Sequence, residues 1–188
     1  AARENDERML RETLQVFIEH TSDLAPRGGH GRSNSSRHSS RRDAFPRVCV
    51  SLLWLLAVTG ICKDNSEAGS CVGELVAALC DYVVHCTGDL APSELSSLIW
   101  ALGMLECRHT LVVEAVTEEI VLRCEELCAQ DLSKIASGLA ALNCHHTKLL
   151  DTLASQCTTV IRDLEPAGLA QLAWAFATLT FPEAHALA

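Results

Sequence analysis

Cys107 and His109 recur as Cys144 and His146, and a repeated Cys and His step is a donor set that could hold zinc. Both pairs sit inside a longer likeness, ECRHT against NCHHT, so repetition of the surrounding chain explains the spacing without a metal. Ten cysteines in all lie in apolar helical runs with no CxxC pair, and they read as small core residues of a reducing compartment rather than a disulfide framework. Glu118 with Glu119 and Glu125 with Glu126 are adjacent carboxylates that fit solvated helix faces better than an acid and base pair. Gly28 to Gly31 (GGHG) lacks the Lys-Ser/Thr that would make it a phosphate loop, and neither GxSxG nor HExxH occurs. The expectation is a protein that is not an enzyme, with no cofactor and no small-molecule substrate.

Charge is unevenly spread. The total is −9, yet the stretch from Arg27 to Arg47 holds six arginines and one acid, which makes that stretch +5 and the remainder −14. A polyanion would have to find a local patch, because phosphate binding draws on clustered Lys and Arg. Arg27 to Asp43 (RGGHGRSNSSRHSSRRD) has no apolar periodicity, and residues 27–43 are expected to be a disordered basic insertion. Arg32, Arg37, Arg41 and Arg42 would then be the cations of a phosphate-contacting arm.

The elements that must position such groups are helices. Nearly half the residues are apolar, led by Leu and Ala, and only 4% are aromatic, which favours an all-α fold over a sandwich or barrel. Three segments align without a gap at an offset of 37: LAPSELSSLIWALGMLECRHT from Leu90, LCAQDLSKIASGLAALNCHHT from Leu127 and LEPAGLAQLAWAFATLT from Leu164. Leu95, Leu132 and Leu169 coincide, as do Leu98, Ile135 and Leu172, then Leu102, Leu139 and Phe176, then Leu105, Leu142 and Leu179. Steps of 3, 4 and 3 place each set on one helix face. Trp100 and Trp174 share a position filled by Ser137 in the middle copy, beside small residues, and the tryptophan is expected to fill the gap between neighbouring helices.

A second helix follows in each full copy, from about Leu111 and from Lys148, so the unit is a helical hairpin. Pro92 and Pro166 sit just inside the first helix of their units, where a missing N–H costs nothing. Asp89, Glu126 and Asp163 precede the units and put negative charge beside a helix N-terminus. Upstream, Pro46 and Trp54 match Pro92 and Trp100 at an offset of 46, which makes VSLLWLLAV a first helix and removes the reason to read Val48 to Cys62 as a membrane span. KDNSEAGS is expected to be the polar loop that absorbs the extra length, with ELVAALCDYVVHC as the second helix. The organisation expected is an α-solenoid of stacked hairpins with a period of 37. Residues 6–22 form the second helix of a preceding repeat, 44–89 repeat 1, 90–126 repeat 2, 127–163 repeat 3 and 164–188 the first half of repeat 4. Both ends interrupt the pattern, and the natural protein is expected to continue in at least one direction.

SELSSLIWALGML (Ser93 to Leu105) and AGLAQLAWAFATL (Ala167 to Leu179), each in phase with the 37-residue hairpin, resemble the heptatricopeptide and octotricopeptide repeats of organellar RNA-binding proteins. The likeness extends to the repeat region of FAST-kinase-like proteins. QDLSKIASGLAAL (Gln130 to Leu142) departs from the pattern by lacking Trp and Pro. The resemblance implies binding of RNA, ribosomal RNA of a mitochondrial ribosome or processing complex foremost, with neighbouring proteins of a large ribonucleoprotein as further partners and no membrane. It also implies a mitochondrial or plastid location and a RAP domain, of which no trace is visible here.

In helical-repeat readers, polar residues at one position of each unit meet successive bases. The polar slot between the two apolar ridges of the first helix holds Ser51, Ser97, Lys134 and Gln171, and these are the expected RNA-binding residues. A protein-binding solenoid, whose acidic surface suits a basic partner, is the competing reading.

Overall fold

A computed structural model describes residues 39–60 and 67–180, with side chains from 45 to 60 and from 72 to 179. Every regular element among them is helical. Seven α-helices follow in order: α1 Ser39–Thr59, α2 Glu67–Val83, α3 Pro92–Met104, α4 Thr110–Leu122, α5 Ala129–Leu142, α6 Thr147–Val160 and α7 Pro166–Thr180. Short 3₁₀ turns, Val84–Asp89, Cys124–Glu126 and Ile161–Asp163, lead from α2 to α3, from α4 to α5 and from α6 to α7.

The helices form two layers. In one, α1 packs on α3, α3 on α5 and α5 on α7; in the other, α2 meets α4 and α4 meets α6. Within each consecutive pair, α3 with α4 and α5 with α6, the two helices also touch, so every pair is an antiparallel hairpin whose members lie in different layers. The core between the layers is the ridge anticipated from the helical spacing: Leu95, Leu98, Leu102, Leu132, Ile135 and Leu139 are fully buried, and Val112, Val116, Ile120, Leu149 and Leu153 close it from the other side. Full burial of such a side chain is worth about 1.5–3 kcal/mol, so this ridge is the main source of cohesion. At the first hairpin, Phe45 and Tyr82 add an edge-to-face contact with centroids 4.9 Å apart.

Helices α3 and α5 of the first layer approach each other through backbone. A Cβ on Gly138 of α5 would lie 2.5 Å from the Ile99 carbonyl oxygen of α3, and one on Gly103 would lie 2.8 Å from the Gly138 carbonyl oxygen. Hydrogen is the only side chain that fits either position. The expectation that the tryptophans fill the gap is corrected for two of them, Trp54 being 44% and Trp174 50% exposed, while Trp100 is half-buried and packs against the core. At 100° per residue this position points away from the Leu95, Leu98 and Leu102 ridge, so it meets solvent on the outer side of the layer.

Helix ends follow local rules. Pro92 opens α3 at a position that needs no N–H. Glu94 accepts a hydrogen bond from the Ala91 N–H at 2.7 Å, and Asp131, 37 residues later, accepts one from the Cys128 N–H at 3.2 Å. These two carboxylates bond the N-termini of α3 and α5, while Asp89, Glu126 and Asp163 end the preceding 3₁₀ turns.

Two boundaries differ from expectation. The basic tract was expected to stay irregular as far as Asp43, but α1 begins at Ser39, so Arg41 and Arg42 lie in its first turn and Pro46 lies inside the helix. Arg41, Arg42 and Ala44 are good helix formers, and a helix held by packing further along propagates backward over them although Pro46 supplies no donor to its own turn. Likewise Glu67 to Ser70, taken for loop, already belong to α2. Residues 6–22 and 27–38, including Arg32 and Arg37, lie outside the described residues, as does the end of the chain after Thr180. No helix among the described residues is long and apolar enough to cross a membrane.

Candidate nucleic-acid interface

Ser51, Ser97, Lys134 and Gln171 sit on α1, α3, α5 and α7, four helices that are successive neighbours in one layer. Ser51 and Gln171 are exposed, and Ser97 and Lys134 are half-buried. Equivalent positions on neighbouring helices form one row across the layer. The hydroxyls have already used their protons: Ser51 Oγ donates to the Arg47 carbonyl at 2.9 Å and Ser97 Oγ to the Ser93 carbonyl at 2.7 Å. What they offer a ligand is therefore an oxygen that accepts. Lys134 offers donors only, and Gln171 offers both.

Charge separates between the two layers. Among the described side chains, the first layer bears no exposed carboxylate: Glu94 is half-buried and caps α3, and Asp131 is buried. Its outer side carries Lys134 and Arg47, the latter 3.4 Å from Glu94. The second layer exposes Glu74, Asp81, Glu114, Glu118 and Asp151. The first-layer helices themselves thus expose fewer acids than the second layer, although Asp89, Glu106, Glu125, Glu126, Asp163 and Glu165 are exposed in the connections beside them. Of the arginines expected in a basic arm, Arg41 and Arg42 extend this layer at the start of α1.

The repeated Cys and His pairs have a backbone explanation. Glu106 and Asn143 adopt left-handed φ values of 54° and 52°. The Glu106 N–H donates to the Gly103 carbonyl at 3.1 Å and the Cys107 N–H to the Leu102 carbonyl at 2.9 Å; the Asn143 and Cys144 amides bond the Ala140 and Leu139 carbonyls at 3.1 and 2.9 Å. This is the Schellman closure of a helix, with the cysteine as the small apolar residue tucked beneath it. His109 and His146 then stand at the N-cap positions of α4 and α6, where His146 Nδ1 accepts from the Leu149 N–H at 3.2 Å and the His109 ring makes no such bond. Among the described residues no group of three or more His, Cys, Asp or Glu side chains could hold a metal ion.

Some contacts could not be found from sequence. Cys80 Sγ lies 4.0 Å from Cys107 Sγ, and His109 Nε2 lies 3.0 Å from Asp81 Oδ1. Cys107 is held down to about 6, first by the thiol of Cys80 and then by the amide and ring of His109, while Cys80 is pushed up by the same contact and by burial. Arg123 crosses between hairpins, donating to the Leu90 carbonyl at 2.7 Å while pairing with Glu126 and Glu119 at 3.0 and 3.6 Å. The Cys80–Cys107, Asp81–His109 and Arg123–Leu90 pairs are 27 to 33 residues apart in the chain, and no spacing rule joins them. A hollow of about 340 Å³ opens between α4 and the 144–146 loop, lined by Arg108, Val113, Glu114, Cys144, His145 and His146; it lies away from the polar row. The chain matches no known protein family and no curated protein sequence.

Proposed function

We propose that this chain is part of an α-solenoid of 37-residue helical hairpins that binds single-stranded RNA on the outer side of its first-helix layer, without catalysing a reaction. The observation that carries the reading is the row of Ser51, Ser97, Lys134 and Gln171 on successive first-layer helices, none of which exposes a carboxylate among its described side chains. Helices that open at Pro92, Ala129 and Pro166, 37 residues apart, support the repeat. A repeat of that length brings one set of polar side chains to each successive helix, which suits one base per unit. The resemblance to heptatricopeptide and octotricopeptide repeats adds the setting: a mitochondrion, or a plastid, and ribosomal RNA within a large ribonucleoprotein. Helix-lining Leu and Ala and the absence of a recognised catalytic motif favour a structural, cofactor-free role.

The acidic outer side of the second layer supports a second reading, a scaffold for a basic protein. In a ribonucleoprotein the two faces would serve different partners. Anisotropy of labelled single-stranded RNA, titrated with the full chain over a salt series, separates them. RNA affinity that falls with rising salt and weakens when Lys134 and Gln171 become Ala, with helicity retained, supports the RNA reading. Absence of RNA affinity even at about 50 mM salt sinks it.

A further inference from the structure

We infer that Trp54, Trp100 and Trp174 are stacking platforms for bases of the bound strand, an inference that rests on the RNA reading and assigns the part of the interface that grips the base face. They are all the tryptophans of the protein, and all three occupy one position of the first-layer helices α1, α3 and α7. That position follows the polar slot by three residues: Ser51 and Trp54, Ser97 and Trp100, Gln171 and Trp174 share a helix face. Each helix therefore presents a polar group beside an indole.

Trp100 is half-buried, Trp174 lies on the last described helix, and Trp54 is exposed although the next helix is in place. Gly103, three residues after Trp100, touches Gly138 of the next helix, so the tryptophan leans toward the helix that follows. For Trp54 the following helix, α3, is in place, and the indole is still 44% exposed. One turn further along, Val58 and Met104 are exposed as well, at 53% and 40%, and prolong the apolar band under Trp54 and Trp100. Scattered single apolar residues are normal on a surface, but the largest side chain repeated in register is an interaction surface.

A nucleobase has a polar edge, an apolar face and an anionic backbone. The layer offers matching groups in that order: the slot residues for the edge, the indoles for the face, and Lys134 and the Glu94-paired Arg47 for the phosphates. Ser137 interrupts the tryptophans on α5, and Val48, Leu55 and Val58 on α1 and Leu169 on α7 are exposed as well. Strand and layer would run together, with stacked bases over α1, α3 and α7 and a base held by Lys134 and Ser137 over α5.

Because no other tryptophan is present, intrinsic fluorescence reports on these platforms alone. The full chain is titrated with an unlabelled single-stranded RNA of mixed sequence while anisotropy of a labelled copy follows binding independently. Stacking quenches the indole emission in step with anisotropy. Trp54→Ala and Trp174→Ala, both at exposed positions, each lower affinity roughly tenfold, Trp54→Phe retains most of it and Trp54→Leu does not, with helicity unchanged by circular dichroism. RNA binding with no quenching and with wild-type affinity in the Ala variants overturns the stacking inference and leaves the RNA reading standing. No RNA binding by anisotropy removes both. A basic protein that shifts the indole emission and displaces the RNA, with Leu at position 54 as good as Trp, assigns the face to protein and overturns the inference.

Discussion

Ser96 Oγ on α3 donates a hydrogen bond of 2.7 Å to Asp131 Oδ1 on α5, both groups buried, while the other oxygen of Asp131 accepts from the Cys128 N–H and the Cys128 thiol at 3.2 and 3.0 Å. One carboxylate thus ends a helix and ties it to its neighbour. Replacing Ser96 by Ala should cost about 1–2 kcal/mol, because a buried acceptor loses its donor. Asp131→Ala should cost about 2–4 kcal/mol, because the N-terminal cap is lost as well. Urea denaturation followed by circular dichroism measures both, and equal costs would show that the cap contributes nothing.

Gly138 and Gly73 make a matched pair of opposite sign. Gly138→Ala drives a methyl onto the Ile99 carbonyl and should destabilise by about 3 kcal/mol or more, since backbone on both sides has to move. Gly73 is a helical residue of α2 with nothing within 4 Å of an added Cβ, and Gly73→Ala should stabilise by about 0.5–1 kcal/mol. Thermal midpoints moving in opposite directions are the expected result.

Glu106 holds a left-handed conformation that its counterpart Asn143 tolerates better. Glu106→Gly should raise stability by about 0.5–1 kcal/mol, and Glu106→Asn by less. A loss on Glu106→Gly would mean that the Glu side chain contributes more than the backbone strain removes.

The Cys80 thiol, 4.0 Å away, holds Cys107 below the usual thiol range, so its thiolate persists to lower pH than that of an ordinary cysteine and is lost as pH falls further. Alkylation by iodoacetamide at pH 7 should therefore be faster at Cys107 than at Cys49, which burial pushes up to about 12, or at Cys157, which burial also raises. Mass spectrometry of the modified sites over pH 5–8 reads the profile. Cys80→Ala removes the thiol that supports the thiolate and should slow Cys107 at pH 7.

The sequence was most informative where one helix repeats the rule of another. Leu95, Leu98 and Leu102 lie on the ridge that 3.6-residue periodicity demands, and their counterparts Leu132, Ile135 and Leu139 are buried equally. The direction of the tryptophans was not legible: size argues for burial, but the angle between that position and the packing ridge decides, and it becomes visible only once the glycine contacts fix how close the helices come. Nor was the start of α1, because Pro46 imitates the helix-opening Pro92 although the helix continues back to Ser39. Cys80 with Cys107 and Asp81 with His109 meet only after two hairpins have docked, and a single chain carries no local trace of such pairs.

The backbone-on-backbone seat of Gly138 against Ile99 also sets how the layer responds to load. At the equivalent position the other first-layer helices carry Leu55, Ala101 and Ala175, so a comparable seat is sterically barred there and side-chain atoms must intervene. Tight backbone contact has little room to yield, whereas side-chain contacts can slide or re-pack. Bending should therefore concentrate at the α1/α3 and α5/α7 junctions while α3 and α5 move as one rigid block, a stiff vertebra between two compliant joints.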